Sequence, residues 1–218
     1  MSIESLNEMP SLLPLDFFAM EGHLDYLKPG LSERQIRAKH LLPSTSSLID
    51  EERFAEVAMG WNEEGIVLRF YVDKPFEEAD FPKYEQGDAL ELFFDTRDMK
   101  NAGFATRFCH HFLFLPQPVQ GIQCQELTRF RSEDSHPLCD PSDLQMIAEC
   151  EKKSYCMQIL VPRHCLHGYD PQEFDRLGFT YRLHRSGGQP QHFALSSKHF
   201  NIEQNPRLWA SFKLRRGG

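Results

Sequence analysis

The chain has 218 residues, of which 40% are hydrophobic, 12% aromatic and 26% charged, with a formal net charge of −8. That length and apolar content support one generous core, and 18 Phe suit sheets packed face to face. The acidic balance, with no basic run or stripe, excludes general nucleic-acid binding, because a negative surface repels phosphates.

The opening "MSIESLNEMPSLLPLDFF" has no positive start followed by an apolar stretch, so no export signal is expected. No apolar run approaches the roughly 18 residues of a membrane helix, and the expectation is a cytoplasmic protein without a membrane contact. Residues 1–50 hold Pro10, Pro14, Pro29 and Pro43 and no clear period, and read as an N-terminal arm packed on the rest. Within it, "LSERQIRAKHLL" (31–42) suits a short helix and an extended run along a sheet edge equally well.

From residue 52 the hydrophobic period is two. In "IVLRFYVD", Ile66, Leu68, Phe70 and Val72 share one face while Arg69, Tyr71 and Asp73 share the other. In "GDALELFFD" (87–95), Leu90, Leu92 and Phe94 alternate with Ala89, Glu91, Phe93 and Asp95. "RFCHHFLFL" sets Phe108, His110, Phe112 and Phe114 against Arg107, Cys109, His111 and Leu113. "LQMIAEC" and "YCMQILV" flank the polar tip "EKKS" as a hairpin, and "FTYRLHR" and "QHFALS" flank Ser186-Gly187-Gly188 as another. "LWASFKL" closes the series with Leu208, Ala210, Phe212 and Leu214 inward. Between the strands, residues 116–143 contain Pro116, Pro118, Pro137 and Pro141 and read as a long loop or lid. Strand after strand with few, short helices predicts an all-β protein: one antiparallel β-sandwich over residues 1–218, with its core at 51–218. Six Cys without an export signal are expected to be thiols, and Cys150 and Cys156, facing each other across "EKKS", are the pair placed to join.

Four blocks in order carry a family resemblance: "WNEEGIVLRFYVDKPF", "GDALELFFDTRD", "YCMQILVPRHCLHG" before "GFTYRLHR", and the closing "LWASFKL". Together they resemble the family 9 carbohydrate-binding modules, a DOMON-like group of β-sandwiches of jelly-roll or immunoglobulin-like type. The likeness spans about residues 50–214 and is most specific in the block Gly87 to Asp95 and the turn Val161 to Leu166. It implies noncatalytic binding of a carbohydrate or similar polyhydroxylated ligand on one sheet face. Glu91 matches the family's ligand-side acid, and Arg107 is the nearest match to an arginine on the next strand. The family clamps sugar between two Trp; this chain has two, Trp61 and Trp209, and the alternation does not place either as a clamp.

Alternation independently sets Glu91 and Arg107 on outward faces, where they can pair and offer hydrogen bonds to hydroxyls, or form an ordinary surface ion pair. Tyr71, Phe93 and His111 share the outward phase and complete the candidate ligand-binding set, unless the arm covers them. Structural calcium, implied by the resemblance, would fall to Asp95 and Asp98 of "DTRD", although the spacing is not that of a dedicated calcium loop.

A second reading is a metal-binding protein or metal-dependent enzyme. Cys109 and His111 project from one strand face, and a folded-back "TRFRSEDSHPLCD" (128–140) would bring His136 and Cys139 to them, a donor set suited to zinc or iron. The same residues also fit a buried thiol with locally bonded histidines. A third reading is an intracellular protein–protein interaction domain whose polar loop is the interface. No Gly-x-Ser-x-Gly elbow or phosphate loop is present in the sequence.

Overall fold

The computed structural model describes residues 19–28, 36 and 38–216. Among the described residues, two sheets contain all eleven strands. The smaller sheet runs β2 (Ala55–Asn62), β3 (Gly65–Val72), β8 (Tyr155–Pro162), β7 (Gln145–Cys150). The larger runs β1 (Glu21–Asp25), β11 (Ala210–Arg215), β9 (Arg176–His184), β4 (Ala89–Asp95), β5 (Cys109–Val119), β6 (Ile122–Glu126), with β10 (Gln191–His192) beside β9. All pairings are antiparallel except β1 with β11. The helical pieces among the described residues are single 3-10 turns, and no described helix is long and apolar enough to cross a membrane.

The alternation read from the sequence explains how the sheets meet. Leu90, Leu92 and Phe94 of β4, Phe112 and Phe114 of β5, and Phe179 and Leu183 of β9 pack against Leu68 and Phe70 of β3 and Met157 and Ile159 of β8. Each of these side chains is fully buried and stabilises the sandwich by about 1.5–3 kcal/mol. The consequence for function is that the opposite face of β4, β5 and β9 carries Glu91, His111, Arg182 and His184 between two smaller apolar clusters, one around Phe93 and one around Ala89, Leu113 and Leu115.

Three expectations need correction. The described part of the arm is not only a cover: residues 21–25 form β1, an edge strand of the larger sheet, and Trp61 Nε1 donates to the Leu24 carbonyl at 3.0 Å. In the 31–42 stretch, Ala38–His40 form one 3-10 turn, and residues 31–35 and 37 lie outside the described residues.

Residues 116–143 are not one loop. β5 continues to Val119 and returns as β6 through Gln120 and Gly121, whose φ values of 53° and 82° are those of a two-residue hairpin turn. Pro116 and Pro118 lack the N–H a ladder needs, and the β5–β6 register breaks between Phe114 and Val119. Only residues 127–144 cross from β6 towards β7 without a strand.

Nor are all six Cys thiols. The hairpin register sets Cys150 opposite Tyr155 and Cys156 opposite Glu149, and both stay thiols. The bonded pair is Cys139–Cys165, which ties the crossing segment to the turn after β8.

Candidate functional site

On the outward face of the larger sheet, Glu91 sits in the middle of β4, with Arg182 of β9 directly opposite. His184 and His111 lie two residues off-register on either side, within reach of long side chains. Both carboxylate oxygens of Glu91 are engaged. Arg182 donates bidentately, through Nη2 to Oε1 at 3.0 Å and through Nε to Oε2. His111 Nε2 is 2.9 Å from Oε1, and His184 Nε2 is 2.7 Å from Oε2. Arg182 also reaches Glu203.

Burial of Glu91 is complete and by itself raises the carboxyl pKa. Hydrogen bonds from His111, His184 and Arg182 outweigh that and hold it well below the usual carboxylate range. Arg182 is held in its charged form by the same contacts, against a burial that works the other way. Glu91 is therefore an anion with its acceptor capacity used up, and it fixes other groups rather than touching a ligand.

A cavity of about 240 Å³ opens beside this cluster. His111, Thr128 and Trp209 line it with Tyr84, Arg129, Glu203 and Gln204. Tyr84 belongs to the turn before β4, and burial, then the charges of Glu91 and Glu203, push its hydroxyl pKa up, keeping it a neutral donor. Trp209 is pinned by its Nε1, which donates to the Ile202 carbonyl at 2.7 Å.

Of the expected ligand-binding set, this face collects Glu91, Phe93 and His111. Phe93 is fully buried rather than presented: it stacks on His111 at 4.4 Å between ring centroids and is covered by Leu195, Ile202, Leu208 and Trp209. Leu208 thus packs outside the sandwich, not inward as the alternation suggested, because it lies in a 3-10 turn ahead of β11.

Arg107 is not the partner of Glu91. It precedes β5, is exposed, and pairs with Asp134 of the crossing segment. Tyr71 is on β3 in the smaller sheet, 40% exposed, and cannot reach the same site. The residues that take these places, Arg182, His184, Tyr84 and Glu203, are not in the expected set. One signal was available: in "FTYRLH" the inward Phe179, Tyr181 and Leu183 leave Thr180, Arg182 and His184 outward, but only the sheet order shows that β9, not the next strand in sequence, is the other neighbour of β4.

The expected metal donors do not converge. Cys109 is buried 3.7 Å from the Thr106 hydroxyl, and burial, then Asp95, push its thiol up to about 12, too high for an easy thiolate. His111 serves Glu91, Cys139 is in the disulfide, and His136 lies on the inner side with Glu126. Nor do Asp95 and Asp98 surround an ion. Asp95 accepts the backbone N–H of Arg97 at 2.9 Å and of Met99 at 2.7 Å, and Asp98 pairs with Lys100 at 2.7 Å and Arg176 at 3.4 Å.

One further array has catalytic spacing. His192 Nδ1 is 2.7 Å from Glu51 Oε1, and its Nε2 is 2.8 Å from Ser197 Oγ, the order of a serine hydrolase triad. The Ser197 backbone N–H also points at Nε2, at 3.2 Å, so it is turned towards the base instead of towards a substrate oxyanion. The array ties residue 51 to the turn after β10.

Among solved structures, a family 9 carbohydrate-binding module from Caldicellulosiruptor kristjanssonii in complex with cellotriose is similar to this chain with a TM-score of 0.63 at 13% identity, over 91% of this chain and 95% of that one. The same organism's module in complex with glucose gives 0.63 at 12% identity, over 91% and 97%. A candidate carbohydrate-binding protein from Bacteroides uniformis gives 0.56 at 8% identity, over 90% and 99%. No protein-family profile and no curated protein sequence matches the chain. The fold is the β-sandwich of the family 9 modules.

Proposed function

We propose that this sandwich binds a carbohydrate in the cavity beside His111, without catalysis. The observation that carries the reading is the pre-set polar wall of a cavity large enough for a single sugar unit: buried Glu91 fixes His111, and through Arg182 it fixes Glu203, and both His111 and Glu203 line that cavity. Rigid donors cost little to order when a hydroxyl arrives. His111 uses Nε2 on Glu91 and leaves Nδ1 for a ligand. Glu203, Gln204, Arg129 and the Tyr84 hydroxyl supply the remaining polar contacts, and the rings of Tyr84 and Trp209 supply apolar walls. The bound cellotriose and glucose in structures of the same fold support a glucose-type ligand. Their low identity leaves the residue contacts to be argued from this chain alone.

Calorimetric titration with glucose, cellotriose and a wider glycan panel tests the reading. Glu203→Ala and Tyr84→Ala should each weaken binding roughly five- to thirtyfold, as loss of a polar or ring contact at about 1–2 kcal/mol predicts, with the melting temperature little changed. Absence of heat for every sugar with the wild-type protein would sink the reading.

A further inference from the structure

A second carboxylate gathers histidines on the inner face of the same sheet. Glu126 ends β6 and shares the inward phase of Phe112, its cross-strand partner. His110 of β5 and His136 of the crossing segment come to it, with Nδ1 of the first and Nε2 of the second each 2.9 Å from Oε1. Thr128 Oγ lies 2.7 Å from the same oxygen, and the Cys139 N–H donates to Oε2 at 2.7 Å. All three acid and imidazole side chains are buried, with exposures of 0% for His110 and Glu126 and 2% for His136.

Counting protons exposes a gap in this cluster. His136 Nδ1 is 2.7 Å from the Arg107 carbonyl, which can only accept, so Nδ1 carries the hydrogen. A neutral ring then turns the lone pair of Nε2 towards a carboxylate oxygen 2.9 Å away. Two facing lone pairs in a buried site repel unless a positive centre lies between them. Where Glu91 has a guanidinium, Glu126 has a hydroxyl and a peptide N–H.

We propose that His110 Nδ1, Glu126 Oε1 and His136 Nε2 bind a zinc ion. The three atoms lie within 4.8 Å of one another. A small parting of the imidazoles from the carboxylate, to roughly 3.3 Å, gives the ligand spacing of a tetrahedral ion with bonds of about 2.0–2.1 Å. Two imidazoles and one carboxylate suit zinc among divalent ions, whereas calcium takes oxygen ligands. The Arg107 carbonyl on His136 Nδ1 is the usual outer partner of a metal-bound imidazole, and Thr128 and the Cys139 N–H orient the carboxylate in the same way.

The ion would staple β5, β6 and the crossing segment together at one edge of the sandwich. It would also steady the sugar cavity: Thr128 Oγ accepts the His111 N–H at 2.8 Å, and the Leu127 N–H donates to the His111 carbonyl at 2.6 Å. The proposal nonetheless stands whether or not a sugar binds there.

The test uses untagged full-length protein, stripped with EDTA, dialysed, and given zinc alone. Elemental analysis should find one zinc per chain, and the melting temperature should rise by several degrees over the stripped protein. Both effects should vanish in His136→Gln, whose amide keeps a hydrogen-bonding group. Equal zinc on wild type and His136→Gln would mean an adventitious ion only, and no zinc on wild type would mean that a proton fills the gap; either overturns the proposal. Zinc kept by His136→Gln and lost by Cys139→Ser would move the ion to Cys139, Asp143 and Cys165, the other group able to converge among the described residues, and overturn it too. Should His136→Gln fail to fold, cobalt substitution of the wild type decides: a spectrum dominated by thiolate charge transfer contradicts the site, and one without it supports it.

Discussion

Glu91 and Glu126 each collect two histidines, on opposite faces of one sheet. The difference between them is one arginine. At Glu91 the guanidinium of Arg182 sits across the strand pair and balances the charge permanently, so the centre is a finished floor for something else to rest on. At Glu126 the neighbours are titratable or neutral, and the balancing charge has to come as a proton or an ion. Two sites with nearly the same residue types thus differ in what they can do, because a fixed cation removes the need for an exchangeable one.

The harshest way to break this comparison is to remove the fixed cation. Arg182→Ala leaves Glu91 buried with two imidazoles and should cost about 3–5 kcal/mol in urea unfolding, provided the protein still folds. Arg182→Lys keeps the charge but loses the bidentate fork, so a clearly smaller loss is expected. If Arg182→Ala unfolds no earlier than wild type, Glu91 is not held as a paired anion.

Acid gives a milder test. The folded-state pKa of Glu91 is depressed below its ordinary value of 4.5, so its contribution is fully present above that value. It is lost as pH falls through the folded value, because the unfolded chain takes up the proton first. Unfolding free energy should therefore drop on acidification below about 4.5, and Glu91→Gln, weaker at neutral pH, should show a shallower drop. Parallel acid profiles for the two proteins would refute the assignment.

The smallest effect is expected at Arg107. Its ion pair with Asp134 is exposed, so Arg107→Ala should leave urea stability and sugar titration unchanged. Loss of sugar binding in that variant would reinstate the pairing that the sequence suggested and the sheet order removed.

Much of the sandwich was legible. The period of two placed Leu90, Leu92 and Phe94 inward and Glu91 outward, and it split His110 from His111, which now belong to different centres. Order along the chain carried no information about which strands become neighbours. Reading Arg107 as the partner of Glu91 assumed that the next strand in sequence supplies it; β4 has two neighbours, and the arginine comes from the one 91 residues away. Pro116 and Pro118 do not end β5, since at a register break near an edge a strand tolerates a missing N–H.

By itself, the sequence determined what each strand shows to the core and what it shows outward, because side-chain alternation is a local property of an extended backbone. Tertiary structure alone decided which outward groups meet. Arg182 and His184 reach Glu91 only through the β4–β9 ladder, and His136 reaches Glu126 only because residues 127–144 close the edge of the sandwich. Charge balance depends on distance in space, and distances in space are set by packing.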